Sequence, residues 1–220
     1  MNWVSANLDL IAGLTMVHLR LSLIPIALGF VIAVPLGWFA HRFSWSRGAV
    51  LGAVGVLYTI PSLALFMVLP PLLGIPILSE ANVIIALTVY AVAIMVRQAA
   101  DAFASIESTT LRAATAVGFA EWGRFFTVEL PLAGPVLLAG LRVVAVSTVS
   151  LVTVGVLVGV PSLGFLFTDG FQRRILAEVL TGVVMTFVVA MVIDGLLVLA
   201  GRVLLPWSRL TSGVVRKAVV

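Results

Sequence analysis

Residues 112–131 read RAATAVGFAEWGRFFTVELP, and they lie within the longest polar interruption of an otherwise apolar chain. There are four such interruptions, at 41–48, 74–82, 104–131 and 159–174. They separate five apolar blocks, at 21–40, 49–73, 83–96 (running on to 103), 135–160 and 175–205. Each block can cross a bilayer as a helix, because about 20 apolar residues span the hydrocarbon core. Helices are expected there, since backbone groups find no water inside a membrane.

The composition agrees with this pattern. Hydrophobic residues make up 62% of the 220 residues and charged residues 10%, whereas a soluble domain is about half apolar and about a quarter charged. A water-facing surface cannot carry this excess, so most of the chain faces lipid or other buried helices. We therefore expect an all-α, polytopic membrane protein with about five transmembrane helices.

The two ends of the chain are less apolar. Residues 1–19 are amphipathic and contain Asn7 and Asp9, so we expect an N-terminal interfacial segment, with a further membrane-embedded helix as the alternative. The start lacks the basic region and cleavage site of a signal peptide. The transmembrane domain then covers 20–205, and 206–220 form a tail. Because only this tail follows the last block, we expect no additional soluble domain in the sequence.

Basic residues are unevenly distributed between the two sides of the predicted bundle. Of the 13 Lys and Arg residues, ten lie in or near 41–48, 97–134 and the part after 201, and three lie on the other side. Cytoplasmic loops carry the excess of basic residues, so we expect an outside N-terminus, a cytoplasmic C-terminus and a cytoplasmic loop at 104–134. The pI is near 10.7, but the basic residues are not clustered, so no nucleic-acid partner is expected.

Groups that support catalysis or bind metals are nearly absent. The sequence has no cysteine, and His18 and His41 fall on opposite sides of the membrane in this topology. The acidic residues lack the paired spacing that a metal site needs. Lys217 is the only lysine, and the absence of Gly-Lys-Ser/Thr excludes a phosphate-binding P-loop. We therefore expect no catalytic residue, metal or cofactor in this chain, and no ATP hydrolysis by the chain alone.

The loop 104–134 has the composition of a binding surface. Small residues at 113 and 114 let a short helix lie close to a partner, and Gly118 permits a sharp turn because glycine tolerates positive φ. Pro131 ends the loop, and four aromatic residues precede it at helical spacing, namely Phe119, Trp122, Phe125 and Phe126. Exposed aromatic residues beside a membrane usually mark a binding surface. The alternative is an interfacial helix whose aromatic side chains enter the lipid.

This loop resembles the cytoplasmic signature of bacterial ABC importer permeases, which is Glu-Ala-Ala, three residues, Gly, nine residues and Ile-x-Leu-Pro. Here it reads Arg112-Ala113-Ala114-Thr115-Ala116-Val117-Gly118, nine residues, and Val128-Glu129-Leu130-Pro131, with Arg112 replacing the signature glutamate. The resemblance implies a methionine-permease-like fold and a separate ATPase subunit that binds ATP and Mg²⁺. The implied ATPase-docking residues are Arg112, Ala113, Ala114, Gly118, Phe119, Trp122, Phe125, Phe126, Leu130 and Pro131.

Other segments are similar to the osmoprotectant permeases of that family, which carry glycine betaine, carnitine, choline and related quaternary amines. The likeness covers residues 15–205 and rests on ELPLAGPVLLAGLR at 129–142, YTIPSLA at 58–64, and the stretch from His18-Leu19 to Pro35-Leu36-Gly37. It implies a translocation path for such substrates in the bacterial cell membrane. A permease for another small substrate such as methionine is the alternative. A stand-alone channel or secondary carrier would show inverted repeats or ion-binding carboxylates in its spans, and neither is evident.

Permeases of this family work in pairs. The resemblance therefore implies a second permease subunit, two ATPase subunits and an extracytoplasmic substrate-binding protein. Arg112 is what we expect in one half of a heterodimer whose other half keeps the signature glutamate. Sequence drift in a homodimer would look the same.

Aromatic residues in the second and third spans are candidates for lining the path. Aromatic faces attract a quaternary ammonium through cation–π interaction. The aromatic candidates are Tyr58, Phe66 and Tyr90, and Pro61 beside Tyr58 is the fourth candidate. Ordinary packing is the alternative interpretation of all four.

Arg142 and Asp194 are ionisable residues inside predicted spans. Arg142 is in the fourth apolar block and Asp194 is in the fifth, both toward the cytoplasmic ends. Ionisable residues in a bilayer generally face a partner or a cavity. We therefore expect an intramembrane pair of Arg142 and Asp194.

Overall fold

Helices make up the secondary structure throughout the described part of the chain. A computed structural model describes residues 2–207, so residues 208–220 of the predicted tail lie outside the described range. A π-helical turn (Phe125–Glu129) precedes the eighth α-helix, and a 3₁₀ segment (Thr153–Val158) follows it. The α-helices are α1 (Asn2–Ala6), α2 (Leu8–Arg42), α3 (Ser44–Thr59), α4 (Ser62–Leu73), α5 (Glu80–Ala104), α6 (Ser108–Ala116), α7 (Glu121–Arg124), α8 (Leu130–Val152), α9 (Gly164–Gln172) and α10 (Leu176–Leu204).

Four helical segments of the described chain are long and apolar enough to cross a membrane. They are α2, α5, α10 and the continuous helical run 121–158, which contains α8. The prediction of an all-α membrane protein is confirmed. The fourth predicted block, 135–160, is part of a longer helical segment that already begins in the polar loop.

The second predicted block, 49–73, is not one straight span. It forms α3 and α4, which are bent by 107° at their junction. Pro61 lacks an N–H to donate and disfavours the helical region for the preceding residue, and Ile60 accordingly has φ −67° and ψ 126°. The expectation of a continuous second helix is therefore wrong, and the block is either a broken span or a re-entrant segment.

The first span is longer than predicted. The 35 residues of α2 extend over about 52 Å, whereas the hydrocarbon core is about 30 Å thick. The helix is therefore tilted or projects from the membrane. Residue 19, the expected boundary of the N-terminal segment, lies inside α2 without a break. The interfacial location of residues 1–19 stays a prediction.

The core depends on a close approach of α2 and α5. A Cβ at Gly29 would lie 2.5 Å from the Ala91 Cβ, and one at Gly37 would lie 2.4 Å from the Ala99 Cβ. These two contacts are about two helical turns apart, so the helices stay close over a long distance. Small residues allow such approach in membrane helix pairs. α8 packs against both α2 and α5 and completes the core.

The loops that charge counting assigns to one side of the membrane lie at the same end of the bundle. Arg42 Nη2 lies 2.7 Å from Glu121 Oε1, which joins the 41–48 and 104–131 segments. Arg20 pairs with Glu80 at the opposite end. We call the end with Arg42 and Glu121 the loop end, and its cytoplasmic location stays a prediction.

We expect Gly37→Ala to destabilise the bundle. The new methyl group would lie 2.4 Å from the Ala99 Cβ and 2.8 Å from the Ala100 nitrogen, so α2 and α5 must separate. Overpacking costs about 1–3 kcal/mol, which lowers the Tm by several degrees. Thermal unfolding of the purified protein in detergent measures this change.

Gly13→Ala is the matched control, because a Cβ at this position of the same helix meets nothing within 4 Å. Alanine favours a helix over glycine by about 1 kcal/mol, so this variant should be at least as stable as the wild type. Equal Tm values for the two variants would contradict the close packing of α2 on α5.

Candidate functional site

The loop 104–134 folds into helices at the loop end. α6 has no buried residue and lies against α7 and the π-helical turn. Arg112 and Ala113 are exposed on α6, and Ala114 is half-buried. The small residues of the motif therefore lie on a helix that projects from the bundle.

Gly118 ends α6 with the sharp turn that the sequence predicts. Its φ is +99°, a region that side chains adopt with strain and glycine adopts freely. The Phe119 N–H donates to the Ala114 carbonyl (3.2 Å), and the Gly118 N–H donates to the Thr115 carbonyl (3.0 Å). This is the hydrogen-bond pattern of a Schellman cap. It sets the direction in which the chain leaves α6 and enters α7.

Three of the four aromatic residues form an exposed surface beside this turn. Trp122 is 68% exposed, Phe126 61% and Phe119 41%. We call these three residues the aromatic surface. Phe125 does not belong to it, because it is 7% exposed and its ring packs against Trp38 with centroids 5.1 Å apart. Consecutive residues on a helix point in different directions, so Phe125 and Phe126 cannot share one face.

Leu130 and Pro131, the end of the motif, also lie apart from the aromatic surface. Both are half-buried and border an apolar groove of about 420 Å³ between α2, α8 and α10. The Trp207 indole N–H donates to the Pro131 carbonyl at 3.2 Å. These residues therefore anchor the start of α8 to the C-terminal end of the described chain.

A buried carboxylate connects the loop to the spans. Glu129 is 3% exposed. It accepts hydrogen bonds from the Trp38 indole N–H and the Arg124 Nε, both at 2.7 Å. Arg124 Nη1 also donates to Thr115 Oγ1 on α6 at 2.9 Å. We call Trp38, Glu129, Arg124 and Thr115 the loop network. It links α2, the π-helical turn that precedes α8, and the exposed α6.

The sequence gives only a weak sign of this network. Glu129 occupies the variable position of the Ile-x-Leu-Pro signature, and nothing in its neighbours indicates that it is buried. Trp38 lies 91 residues earlier in the chain. Only the packing of α2 against the base of α8 brings the two side chains together.

The four candidate path residues divide into two groups. Tyr58 is 54% exposed and packs against Tyr90 with ring centroids 6.1 Å apart. Tyr90 and Phe66 are 4% and 0% exposed, and the Tyr90 hydroxyl donates to the Ile60 carbonyl. Pro61 lies at the break between α3 and α4. Tyr58 and Pro61 are therefore accessible, whereas Phe66 and Tyr90 are buried.

Arg142 on α8 and Asp194 on α10 are brought together. Arg142 Nε lies 2.6 Å from Asp194 Oδ1, and Nη2 lies 2.8 Å from Oδ2, which makes the pair bidentate. Such geometry gives the strongest charge-assisted hydrogen bonds. The pair borders an open groove that also contains Val143 and Ser147.

A second groove, of about 270 Å³, lies between α3, α5 and α8 and shares Val143 and Ser147 with the first. Its polar side chains are Tyr58, Arg97, Gln98 and Ser147, and we call it the polar groove. Arg97 is a residue that the sequence reading did not select. An arginine inside an apolar block was the available signal.

The chain is similar to known proteins over most of its length. Residues 28–209 match the family described as binding-protein-dependent transport system inner membrane component. The chain is 32% identical over 196 residues to the osmoprotectant import permease protein OsmW of Salmonella typhimurium, covering 87% of this chain and 90% of OsmW. It is 31% identical over 189 residues to the glycine betaine/carnitine/choline transport system permease protein OpuCB of Bacillus subtilis, covering 86% of each.

The fold is similar to that of a solved transporter. An inward-facing structure of the MetNI methionine ABC transporter contains a chain that superimposes with a TM-score of 0.82 at 20% sequence identity. The match covers 90% of this chain and 98% of that one. At this identity the similarity supports the predicted methionine-permease-like fold and carries no information about the substrate.

We expect Glu129→Gln to loosen α6 from the bundle. The substitution leaves the Arg124 guanidinium, whose side chain is 14% exposed, without its counter-charge. Breaking a buried pair costs about 3–5 kcal/mol. Hydrogen exchange should become faster in residues 108–124, and the free energy of unfolding should fall.

Glu121→Gln provides the control on the same loop. It removes the ion pair with Arg42, whose partners are 42% and 67% exposed. Exposed pairs contribute about 0–1 kcal/mol. If both variants increased hydrogen exchange in residues 108–124 equally, the loop network would hold α6 no more strongly than the exposed Arg42–Glu121 pair does.

Proposed function

The chain belongs to the family of binding-protein-dependent transport system inner membrane components, and on this basis we propose that it forms the path through which an ABC importer takes up osmoprotectants. The substrate class is quaternary amines such as glycine betaine, choline and carnitine. The observation that carries the substrate class is the similarity over nearly the full length to permeases with those names, at 31–32% identity.

Methionine uptake is the second candidate, because the fold is similar to that of a methionine transporter. The 20% identity of that match is well below the identity to the osmoprotectant permeases. Fold similarity alone does not carry a substrate. We therefore place methionine second.

Membership of the family implies a separate ATPase and a separate substrate-binding protein. In the proposed assembly, two permease subunits, identical or not, span the membrane with two ATPase subunits on the cytoplasmic side. In this proposal ATP and Mg²⁺ bind to the ATPase, and the permease contributes no catalytic residue, metal or cofactor. The binding protein delivers the substrate from outside, and lipid surrounds the spans.

The ATPase docks on α6 and the aromatic surface. α6 projects from the loop end with Arg112 and Ala113 exposed, and Trp122 lies on the adjoining α7. Exposed aromatic side chains are the usual anchors of a protein interface. A movement of the ATPase reaches the spans through the loop network, since Glu129 is bonded to both Arg124 and Trp38.

The substrate path runs along the accessible face of α3, α5 and α8. Tyr58 and Pro61 border it, the buried Tyr90 packs against Tyr58, and the buried Phe66 belongs to the core beneath it. The Arg142–Asp194 pair keeps two charges neutralised beside the same face. The 107° break at Pro61 gives α3 and α4 a place to move relative to each other.

Uptake in cells tests the substrate class. Removal of this chain from its host should abolish energy-dependent uptake of at least one of labelled glycine betaine, choline and carnitine. Labelled methionine should enter at the wild-type rate, because the proposed path serves quaternary amines. Loss of methionine uptake alone, or of none of the four, would overturn the proposed substrate class.

Capture of the ATPase tests the docking surface. Gly118→Ala and Trp122→Ala should each weaken binding of the purified partner ATPase by at least about tenfold, because the first strains the turn and the second removes an anchor. The Kd is measured with the chain in nanodiscs.

Two matched substitutions serve as controls. Gly48→Ala adds a methyl group in open space on α3, and Phe171→Ala removes an aromatic side chain that is 81% exposed away from the loop end. Both should bind the ATPase like the wild type. Full binding by the Gly118 and Trp122 variants would place the docking surface elsewhere.

A further inference from the structure

Arg97 lies on α5 about two turns from the loop end of this span, and it has no ion-pair partner among residues 2–207. Asp101, about one turn along α5, lies 3.7 Å from Arg47, and Asp194 is held by Arg142. An arginine in a bilayer costs several kcal/mol unless it faces a partner or a water-filled cavity. Among residues 2–207 the Arg97 guanidinium therefore faces only the polar groove, and a counter-charge for it comes from outside this range.

The surroundings of Arg97 form a site of limited size. Its Nη2 lies over Gly55 on α3, where a Cβ would be 3.9 Å away, so the glycine leaves room for the guanidinium. Tyr58, about one turn further along α3, lines the same groove of about 270 Å³. Tyr90 packs on Tyr58 at an interplanar angle of 80° and fixes its ring, while 54% of Tyr58 stays accessible.

These two groups match the two charges of one small zwitterion. A free guanidinium binds a carboxylate through two parallel hydrogen bonds. A tyrosine ring attracts a quaternary ammonium through its face. Gln98 and Ser147 line the same groove and supply neutral hydrogen-bonding groups. Arg97 is the only cationic group of residues 2–207 that lines the polar groove, so no other positive charge of this range repels the ammonium there.

We propose that the polar groove is a substrate subsite in which Arg97 binds a carboxylate while Tyr58 faces the quaternary ammonium of the same molecule. The inference rests on the proposed function and deepens it, because it names the substrate subclass. Carboxylate-bearing amines such as glycine betaine and carnitine satisfy both groups. Choline has a hydroxyl in place of the carboxylate, so it leaves Arg97 unpaired and brings a second positive charge near it.

Uptake of two substrates by one set of variants tests the subsite. The complete transporter, with its binding protein and ATPase, is expressed in cells that lack other betaine and choline transporters. Uptake of labelled glycine betaine and choline is measured for the wild type, and each variant is normalised to the wild type for each substrate. Immunoblots of membranes correct for the amount of protein.

Substitutions of Arg97 and of Tyr58 should change the uptake of the two substrates in different ways. Arg97→Gln should lower glycine betaine uptake at least about tenfold more than choline uptake, because only betaine loses a charge-assisted bond. Arg97→Lys, which keeps the charge but not the bidentate geometry, should show the same bias to a smaller extent. Tyr58→Leu should lower both uptakes several-fold, since both substrates carry the ammonium, and Tyr58→Phe should lower neither.

Arg173→Gln is the charge-removing control, because Arg173 pairs with Asp169 and lies outside the polar groove. It should leave the ratio of betaine to choline uptake unchanged. If Arg97→Gln does not accumulate in the membrane, the ratio of betaine to choline uptake by Arg97→Lys tests the subsite instead.

Two results overturn the subsite and leave the proposed function intact. One is an equal loss of both uptakes in the Arg97 variants, as expected if Arg97 pairs with a second permease subunit or a lipid phosphate. The other is a wild-type transporter that carries choline but not glycine betaine. A wild type that carries no quaternary amine overturns the proposed function and the subsite together.

Discussion

The close contact between α2 and α5 is the constraint on which the rest of the bundle depends. Inside a membrane, lipid tails are as apolar as leucine side chains, so helices associate through tight packing rather than through exclusion of water. Gly29 and Gly37 provide that packing, because a Cβ at either position would overlap with an alanine of α5. α8 packs on both helices, and its base thereby meets Trp38 on α2. The geometry of the loop end thus follows from small residues deep in the spans.

Charged groups within or beside the spans have three different kinds of surroundings. Glu129 is buried and satisfied by Arg124 and Trp38, which ties a projecting helix to the bundle. Arg142 and Asp194 neutralise each other across α8 and α10. Arg97 has neither kind of partner within the described chain and borders an accessible groove. The buried Glu129 network can transmit movement from the loop to the spans. The Arg142–Asp194 pair holds α8 and α10 together. Arg97 can bind a ligand that carries a negative charge.

The structure agrees with the sequence pattern where a local property decides the conformation. The apolar blocks became helices because a bilayer leaves the backbone no other way to satisfy its hydrogen bonds. Gly118 has the positive φ that its place after a short helix indicates. The structure departs from the pattern where one residue acts against a regular spacing. Pro61 breaks a block that hydropathy alone reads as continuous, and Phe125 turns inward from an aromatic run that spacing reads as one surface.

Hydrophobicity, glycine and motif spacing act over a few turns of chain, so they specify the class of the molecule, the position of its projecting loop and its family. Long-range packing sets which side chains of the loop 112–131 face outward and which are anchored. Phe125 and Glu129 are buried because α2 brings Trp38 to them. The groove that joins Tyr58 to Arg97 exists because α3, α5 and α8 meet there. Such contacts depend on the packing of residues far apart in the chain, which no local pattern contains.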